Sequence, residues 1–576
     1  MKYLKRLFVL LLIAGMGLTV YRCIFGSLGG DQAAEALEMY YGVKKADEIN
    51  SKKITIYIDD QDLTPEFDQP PYMTEHMELM LPVYMAPRVF NTQVRIDAQC
   101  QVIFELDEQR LMAAVGSSDY TANGKPLSMP EPLIERGGQL FVSVDMLCNW
   151  LGMEGRWNED TNTMTIRTLD AVSGDDPSAL PSVYDMRRDN RVTAVRSQGN
   201  FGTCWAFAAL GALESTLMPE QPFDFAADHL SILSGFNAGQ MDGGDYNMAL
   251  AYFASWKGPV LEALDPYGDG QTDESAKAAV HVQEAVNIGS KDYDTIKEII
   301  LNKGGVQSSF YSDMATADSD SSYYSLEHDS YYYPGNAAAN HDIVIVGWDD
   351  FYPKENFNIP PAKDGAFICR NSWGSEFGED GYFYISYEDT NIGLNNMAYT
   401  KAEPVDQYDY IYQSDLLGWV GTIGYGLETS WFANVYTAGS NQQLSAVSFY
   451  TTGKENYYDI FIVNDFTDVQ SFDKMKYIGS GYIPQAGYYT CSFPGAACFK
   501  SGERFAVIVK IHTKDSVRPI AIEYEVGDMT SSVDLSDGEG YISYNGSQWE
   551  SAENLYQCNV CLKVFTDKKE DEIWKK

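Results

Sequence analysis

Hydrophobic positions along the 576 residues fall into distinct rhythms. Over residues 50–168, short runs of alternating apolar and polar residues, such as KKITIYIDD and TNTMTIRT, are separated by turn residues. Period-two alternation lays one face of each run on a core, so this segment is expected to be a small α+β, β-rich domain. Two stretches inside it share a rhythm: TEHMELMLPVYMAPRVFNTQVRIDAQCQVIFEL and IERGGQLFVSVDMLCNWLGMEGRWNEDTNTMTI. In each, a strand leads into a short helical run and then a hairpin, a weak internal repeat. Residues 169–182, LDAVSGDDPSALPS, carry no apolar period and are rich in Gly, Pro, Ser and Asp, which marks a linker. Beyond it, CWAFAALGALESTL at 204–217 predicts a buried helix, with Gly199 and Gly202 permitting a sharp turn into it. The β-branched run that follows His341 predicts a buried strand, and AFICR before Asn371 another. From 404 to 567, SAVSFYTTG, YYDIFIVND, RFAVIVKIHT, IAIEYEV and NVCLKVFTD alternate with turns in the manner of a β-sandwich. The pattern as a whole predicts a multidomain α+β protein ending in a charged tail, residues 568–576.

Charge narrows the partners. The chain carries 41 Lys and Arg against 82 Asp and Glu, a net charge of −41. Such a surface repels phosphate backbones and argues against a nucleic-acid partner. At the N-terminus, Lys2, Lys5 and Arg6 precede an apolar run at 7–20, shorter than the roughly 20 residues of a membrane span. Residues 1–30 are therefore expected to be a signal peptide or an N-terminal membrane anchor, and the protein to act outside the cytoplasm, extracellular or at a bacterial cell surface. Any membrane contact is expected through this segment alone.

Nine cysteines in a chain of this size do not make a disulfide framework. Cys558 and Cys561 form a lone CxxC with no second pair, a poor basis for zinc. Cys491 and Cys498 flank a turn and could bridge across a hairpin. No metal or other cofactor is expected.

Candidate chemistry centres on Cys204. A thiol reacts as its thiolate, and a helix N-terminus together with a nearby imidazolium stabilises that form. His341, one of six histidines, opens a strand where core packing would hold its ring. Asn371, at the end of AFICR, can accept the imidazole N–H and fix ring and tautomer, with Trp373 shielding that bond. Gln198, six residues before Cys204, can join the Cys204 backbone N–H as an oxyanion donor.

This set resembles the papain family of cysteine peptidases over residues 183–402. The Gln-x5-Cys-Trp block, the strand-opening histidine, and NSWG followed by GYFYISY stand in family order. PSVYDMRRDNRVTAV resembles the start of the family's mature enzyme, and DGGDYNMALAYF its substrate-binding glycine loop. The resemblance implies a two-lobed peptidase fold and hydrolysis of peptide bonds by Cys204, His341, Asn371 and Gln198. It also implies that Gly243 and Gly244 let backbone pair with an extended peptide or protein substrate. By order along the chain, Val306, Ser308 and the loop SSYYSLEHDSYYYP fall near His341 and are expected, with Trp373, to shape the cleft. The family's usual disulfide positions hold Phe201 and Met241, so apolar packing is expected to replace the cross-link.

Residues 50–168 resemble the copper amine oxidase N-terminal-like domain, without a His-rich ligand set. Residues 404–567 resemble the lectin-like domain of clostridial surface and secreted cysteine proteases, which implies a cell-surface glycan as a partner. There Trp419, Tyr425 and Trp431 are candidates either for a sugar-stacking face or for the sandwich core. Two other readings stay open: hydrolysis of peptidoglycan stem peptides, and an inert surface adhesin that displays the C-terminal domain.

Overall fold

The computed structural model describes residues 43–569 apart from 59–60, 65–68, 130, 168–179, 315 and 317–318. The apolar run at 7–20, nearly all of the linker and most of the charged tail lie outside the described residues. Among the described residues no helix is long and apolar enough to cross a membrane. Two compact units divide near residue 174.

In the first unit the internal repeat is a structural one. The strand Leu79–Pro82 runs through the short helices Val83–Met85 and Ala86–Phe90 into the hairpin Gln93–Ile96 and Gln101–Leu106. Likewise Gln139–Ser143 runs through the helix Val144–Leu151 into the hairpin Glu154–Asn158 and Thr163–Arg167. The two leading strands pair antiparallel, Val142 opposite Leu81, so the apolar residues of both halves share one core. Ser143 starts its helix by accepting the Met146 N–H at 3.2 Å, and Gly152 ends it at φ 68°.

The second unit begins at a mixed helix-and-sheet region. The helix Cys204–Leu217 is buried from Trp205 to Ser215, as its all-round apolar sequence requires. It lies against the strand His341–Asp349. Gly211 allows the approach, since a Cβ there would sit 2.8 Å from the Arg370 guanidinium and 3.4 Å from Val344. The strands Tyr382–Ser386, Ala366–Arg370, His341–Asp349, Val306–Phe310, Asn396–Pro404 and Val280–Ile288 follow one another across one side of the sheet.

That sheet does not stop at the peptidase-like region. Val280–Ile288 pairs with Asn396–Pro404 along one edge and with Ala486–Ser492 along the other, Ala285 lying between Tyr399 and Tyr488. Gln442–Thr451 and Leu562–Lys568 extend it further. The crossing needs a glycine: a Cβ on Gly487 would meet the Ala285 carbonyl oxygen at 2.1 Å. A second sheet, built from Gly540–Ser543, Thr429–Thr437, Arg504–Thr513 and Asn456–Val463, covers the first, with Phe432, Val447, Phe449 and Val509 buried between them. This is the expected sandwich, built onto the same sheet as the region before it.

The Cys491–Cys498 bridge that the turn between them left open is not formed, and both thiols are free. Cys491 lies opposite Val447 and Cys498 opposite Gln443 on one strand, which separates them by roughly 13 Å along it. Cys558 and Cys561 are buried free thiols facing the carbonyls of Ala552 and Gly418.

Candidate active site

Cys204 is the first residue of its helix and is half-buried. The backbone amides of Cys204, Trp205 and Asp342 favour the ionised form of its thiol. The first two are the unpaired N–H groups of a helix start; the third comes from the residue after His341. Burial, reinforced by the Asp342 carboxylate, nevertheless pushes the thiol up to about 12.

His341 opens its strand with the ring between Trp373, 4.8 Å away between centroids, and Phe310, 5.7 Å away and edge-on. Its Nε2 lies 2.8 Å from Asn371 Oδ1. An amide oxygen only accepts, so Nε2 carries the proton and Nδ1 is left open. Burial pushes the ring down to about 4, with the Asn371 bond working against that shift. Taken singly, sulfur and ring are each neutral at pH 7. Moving a proton from one to the other creates two charges together, and their attraction offsets part of the cost of each.

Asn371 Oδ1 also accepts the Ser372 N–H at 2.8 Å, which fixes the amide. Gln198 is tied to the same turn. Its backbone N–H donates to the Ser372 carbonyl at 2.8 Å, and its Oε1 accepts from Ser372 Oγ at 2.6 Å. Gln198 Nε2 donates one proton to the Phe201 carbonyl at 2.8 Å, leaving its second N–H for another acceptor. The glycine loop is anchored beside them: the Gly202 N–H donates to the Gln240 carbonyl at 2.8 Å. Gly243 sits at φ 80°, and a Cβ on Gly244 would meet the buried Trp205 ring at 2.5 Å.

Two expectations are corrected. Val306 and Ser308 do not line the cleft. Both are fully buried on the strand next to that of His341, and Ser308 Oγ is committed to Asn396 Oδ1 at 2.9 Å. Nor does apolar packing between Phe201 and Met241 replace the family's cross-link. Phe201 packs edge-on against Tyr267 while Met241 is 69% exposed, and the Gly202–Gln240 backbone bond joins the two loops instead. In the sandwich, Trp419, Tyr425 and Trp431 are half-buried against separate neighbours. Trp419 lies edge-on to Tyr450, Trp431 lies beside Phe461, and the Tyr425 hydroxyl donates to Glu550 at 2.8 Å.

Sequence reasoning passed over three supports. The Tyr267 hydroxyl joins the Gln198 carbonyl at 2.9 Å to Thr203 Oγ1 at 2.6 Å, fixing the turn before Cys204. Glu214, fully buried on the Cys204 helix, accepts from Arg196 at 3.1 Å, Thr193 Oγ1 and the Phe225 N–H at 3.0 Å. Arg370, whose guanidinium lies 3.8 Å from Glu214, immediately precedes Asn371 and donates to the Ala194 carbonyl at 2.6 Å. A lone acid in an apolar helix was the signal for this network.

Three family models match the chain. Residues 180–402 match the papain family cysteine protease model, residues 411–566 the lectin like domain, and residues 57–166 the copper amine oxidase N-terminal domain. Over residues 180–402 the chain thus carries a domain like those of the papain family of cysteine proteases. This papain-family domain is 28% identical over 232 residues to a viral cathepsin of Choristoneura fumiferana nuclear polyhedrosis virus. The match covers 39% of this chain and 66% of the cathepsin, just under two thirds of that relative's length. Among solved structures, the clostridial cysteine protease Cwp84 after propeptide cleavage superposes with a TM-score of 0.61 at 25% identity, covering 68% of this chain and 100% of that one. The cysteine protease and lectin-like domains of Cwp84, described as a surface layer associated protein of Clostridium difficile, give 0.59 at 25% identity, covering 68% and 90%.

Proposed function

We propose that the papain-family domain hydrolyses peptide bonds with Cys204 as nucleophile, His341 as base, Asn371 as its orienting partner and Gln198 as an oxyanion donor. The observation that carries this reading is the 2.8 Å contact of His341 Nε2 with Asn371 Oδ1, which leaves Nδ1 unprotonated and able to take a proton. The thiol proton passes to Nδ1, and the thiolate attacks the scissile carbonyl. Gln198 Nε2–H and the Cys204 N–H receive the developing oxyanion. The imidazolium protonates the departing amine, and water activated by the same ring then hydrolyses the thioester. Gly243 and Gly244 leave the loop backbone free to pair with an extended substrate, and Trp373 keeps water from the His341–Asn371 bond.

The whole protein is proposed to act outside the cytoplasm at a cell surface, a reading supported by its similarity to surface-layer-associated Cwp84 and by the apolar N-terminal run. The lectin-like domain would bring it to a surface glycan. Purified protein should hydrolyse unstructured protein such as casein and bind an epoxide cysteine-peptidase inhibitor at Cys204. Cys204→Ala should lose both. Hydrolysis that persists in Cys204→Ala, or wild-type protein that acts on purified cell wall and not on casein, refutes the proposal.

A further inference from the structure

Asp342 follows His341 on the same strand, and successive strand residues leave on opposite faces. His341 lies opposite Phe310 with its ring against Trp373; Asp342 lies opposite Ser309. Asp342 Oδ1 accepts from Ser309 Oγ at 2.7 Å and Oδ2 from Gln307 Nε2 at 2.8 Å. Gln307 Nε2 also reaches the carbonyl of Trp205, the residue after the nucleophile, at 3.3 Å, and its Oε1 accepts from the Tyr399 hydroxyl at 3.0 Å.

Asp342 is only 9% exposed, yet it has no ion pair among the described residues. The charged side chain that acts on it, Asp245 at the start of the helix Tyr246–Ala254, has the same sign. Asp342 in turn acts on Cys204, Tyr246 and Tyr399. Each of its oxygens accepts one hydrogen bond, about half of what a carboxylate can take. Ser309 and Tyr246 beside it are half-buried and Asp245, which follows the glycine loop, is exposed, so Asp342 lies just beneath the surface there. An anion here opposes formation of the thiolate, so the proposed chemistry alone gives it no role. A cation brought by the substrate would neutralise Asp342 and remove that opposition at once.

We propose that Asp342 is a specificity-determining residue that receives the ammonium or guanidinium of a Lys or Arg lying within the two residues before the scissile bond. The inference rests on the peptidase reading above. It is tested with matched peptides carrying Arg, Lys, Leu or Glu at each of those two positions, using wild type, Asp342→Asn and Asp342→Ala standardised by epoxide titration of Cys204. Wild type should favour a basic residue over Leu by about tenfold or more in kcat/KM at one position, and the ratio should collapse toward unity in both variants. Burial pushes Asp342 up to about 6, so the wild-type ratio should also shrink as pH falls through that value. Wild type that prefers Leu or Glu, a basic preference that survives either substitution, or a ratio that does not respond to pH overturns the assignment; the pH series decides it even where a variant does not fold. Wild type that cleaves none of the peptides and leaves casein intact points to failure of the peptidase reading itself.

Discussion

His341 Nε2 and Asn371 Oδ1 stand 2.8 Å apart, and the oxygen can only accept. One hydrogen bond thereby selects the tautomer, fixes the ring and leaves Nδ1 unprotonated. Asn371→Ala frees the ring to rotate and lowers kcat by about 100-fold, the usual effect of a misaligned reacting group. Asn371→Asp keeps the contact but places a negative charge beside the imidazolium, so the acid limb of the pH–rate profile moves to higher pH. Steady-state kinetics across pH check both; a profile that does not move for Asn371→Asp would rule out the pairing in solution.

Gln198 has one amide proton committed to the Phe201 carbonyl and one free. If Gln198 serves as the proposed oxyanion donor, Gln198→Ala removes that donor and lowers kcat by roughly 10²–10³-fold with a small change in KM. Ser372→Ala removes only the hydroxyl that steadies Gln198 Oε1, and its loss should be smaller. Equal losses for the two variants would mean that Gln198 acts by holding the turn.

Gly244 is a packing requirement of the loop proposed to pair with substrate. Gly244→Ala drives a methyl into the Trp205 ring, 2.5 Å from the added Cβ, and the ring is too well enclosed to withdraw. Overpacking of this kind costs about 1–3 kcal/mol. Thermal unfolding should fall by several degrees, and KM should rise because the loop moves with the ring.

Glu214 binds three segments that meet under the site. Glu214→Leu leaves Arg196 and Arg370 without their shared buried carboxylate, and breaking a buried pair from one side costs roughly 3–5 kcal/mol. Chemical denaturation should report that loss. A variant as stable as wild type would show that Glu262 and Asp224, which also pair with Arg196, suffice.

Stability should fall as pH rises. Burial, reinforced by Asp415, holds the Glu523 carboxyl up at about 7, and burial with Asp537 and Glu553 holds Glu539 at about 8. Between the ordinary carboxylate range and those values, the folded chain keeps protons that the unfolded chain has released. The stabilisation is complete at low pH and is lost as pH rises through about 7 and about 8. Self-repulsion of a chain with a net charge of −41 acts in the same direction. Calorimetry near pH 5.5 and near pH 8.5 should give the higher Tm at the lower pH, and Glu523→Gln should narrow the gap.

The linear chain by itself determined what depends on neighbours in sequence. An apolar run with Cys204 at its head makes a buried helix, a β-branched run headed by His341 makes a core strand, and the twice-written strand–helix–hairpin rhythm makes a repeated fold. In each case the burial pattern is local and has one way to be satisfied. Tertiary structure decided what depends on register and approach between distant segments. Strand pairing buried Val306 and Ser308 although they lie near His341 in chain order. A backbone bond from Gly202 to Gln240 took over where Phe201 and Met241 were expected to pack. The strand Val280–Ile288 found partners on both edges and joined two regions that read as separate domains. Strand alternation turned Asp342 to Gln307 and Ser309 and its neighbour His341 to Asn371 and Trp373. Cross-strand pairing and shared burial arise between residues far apart in the chain, so no window of sequence contains them.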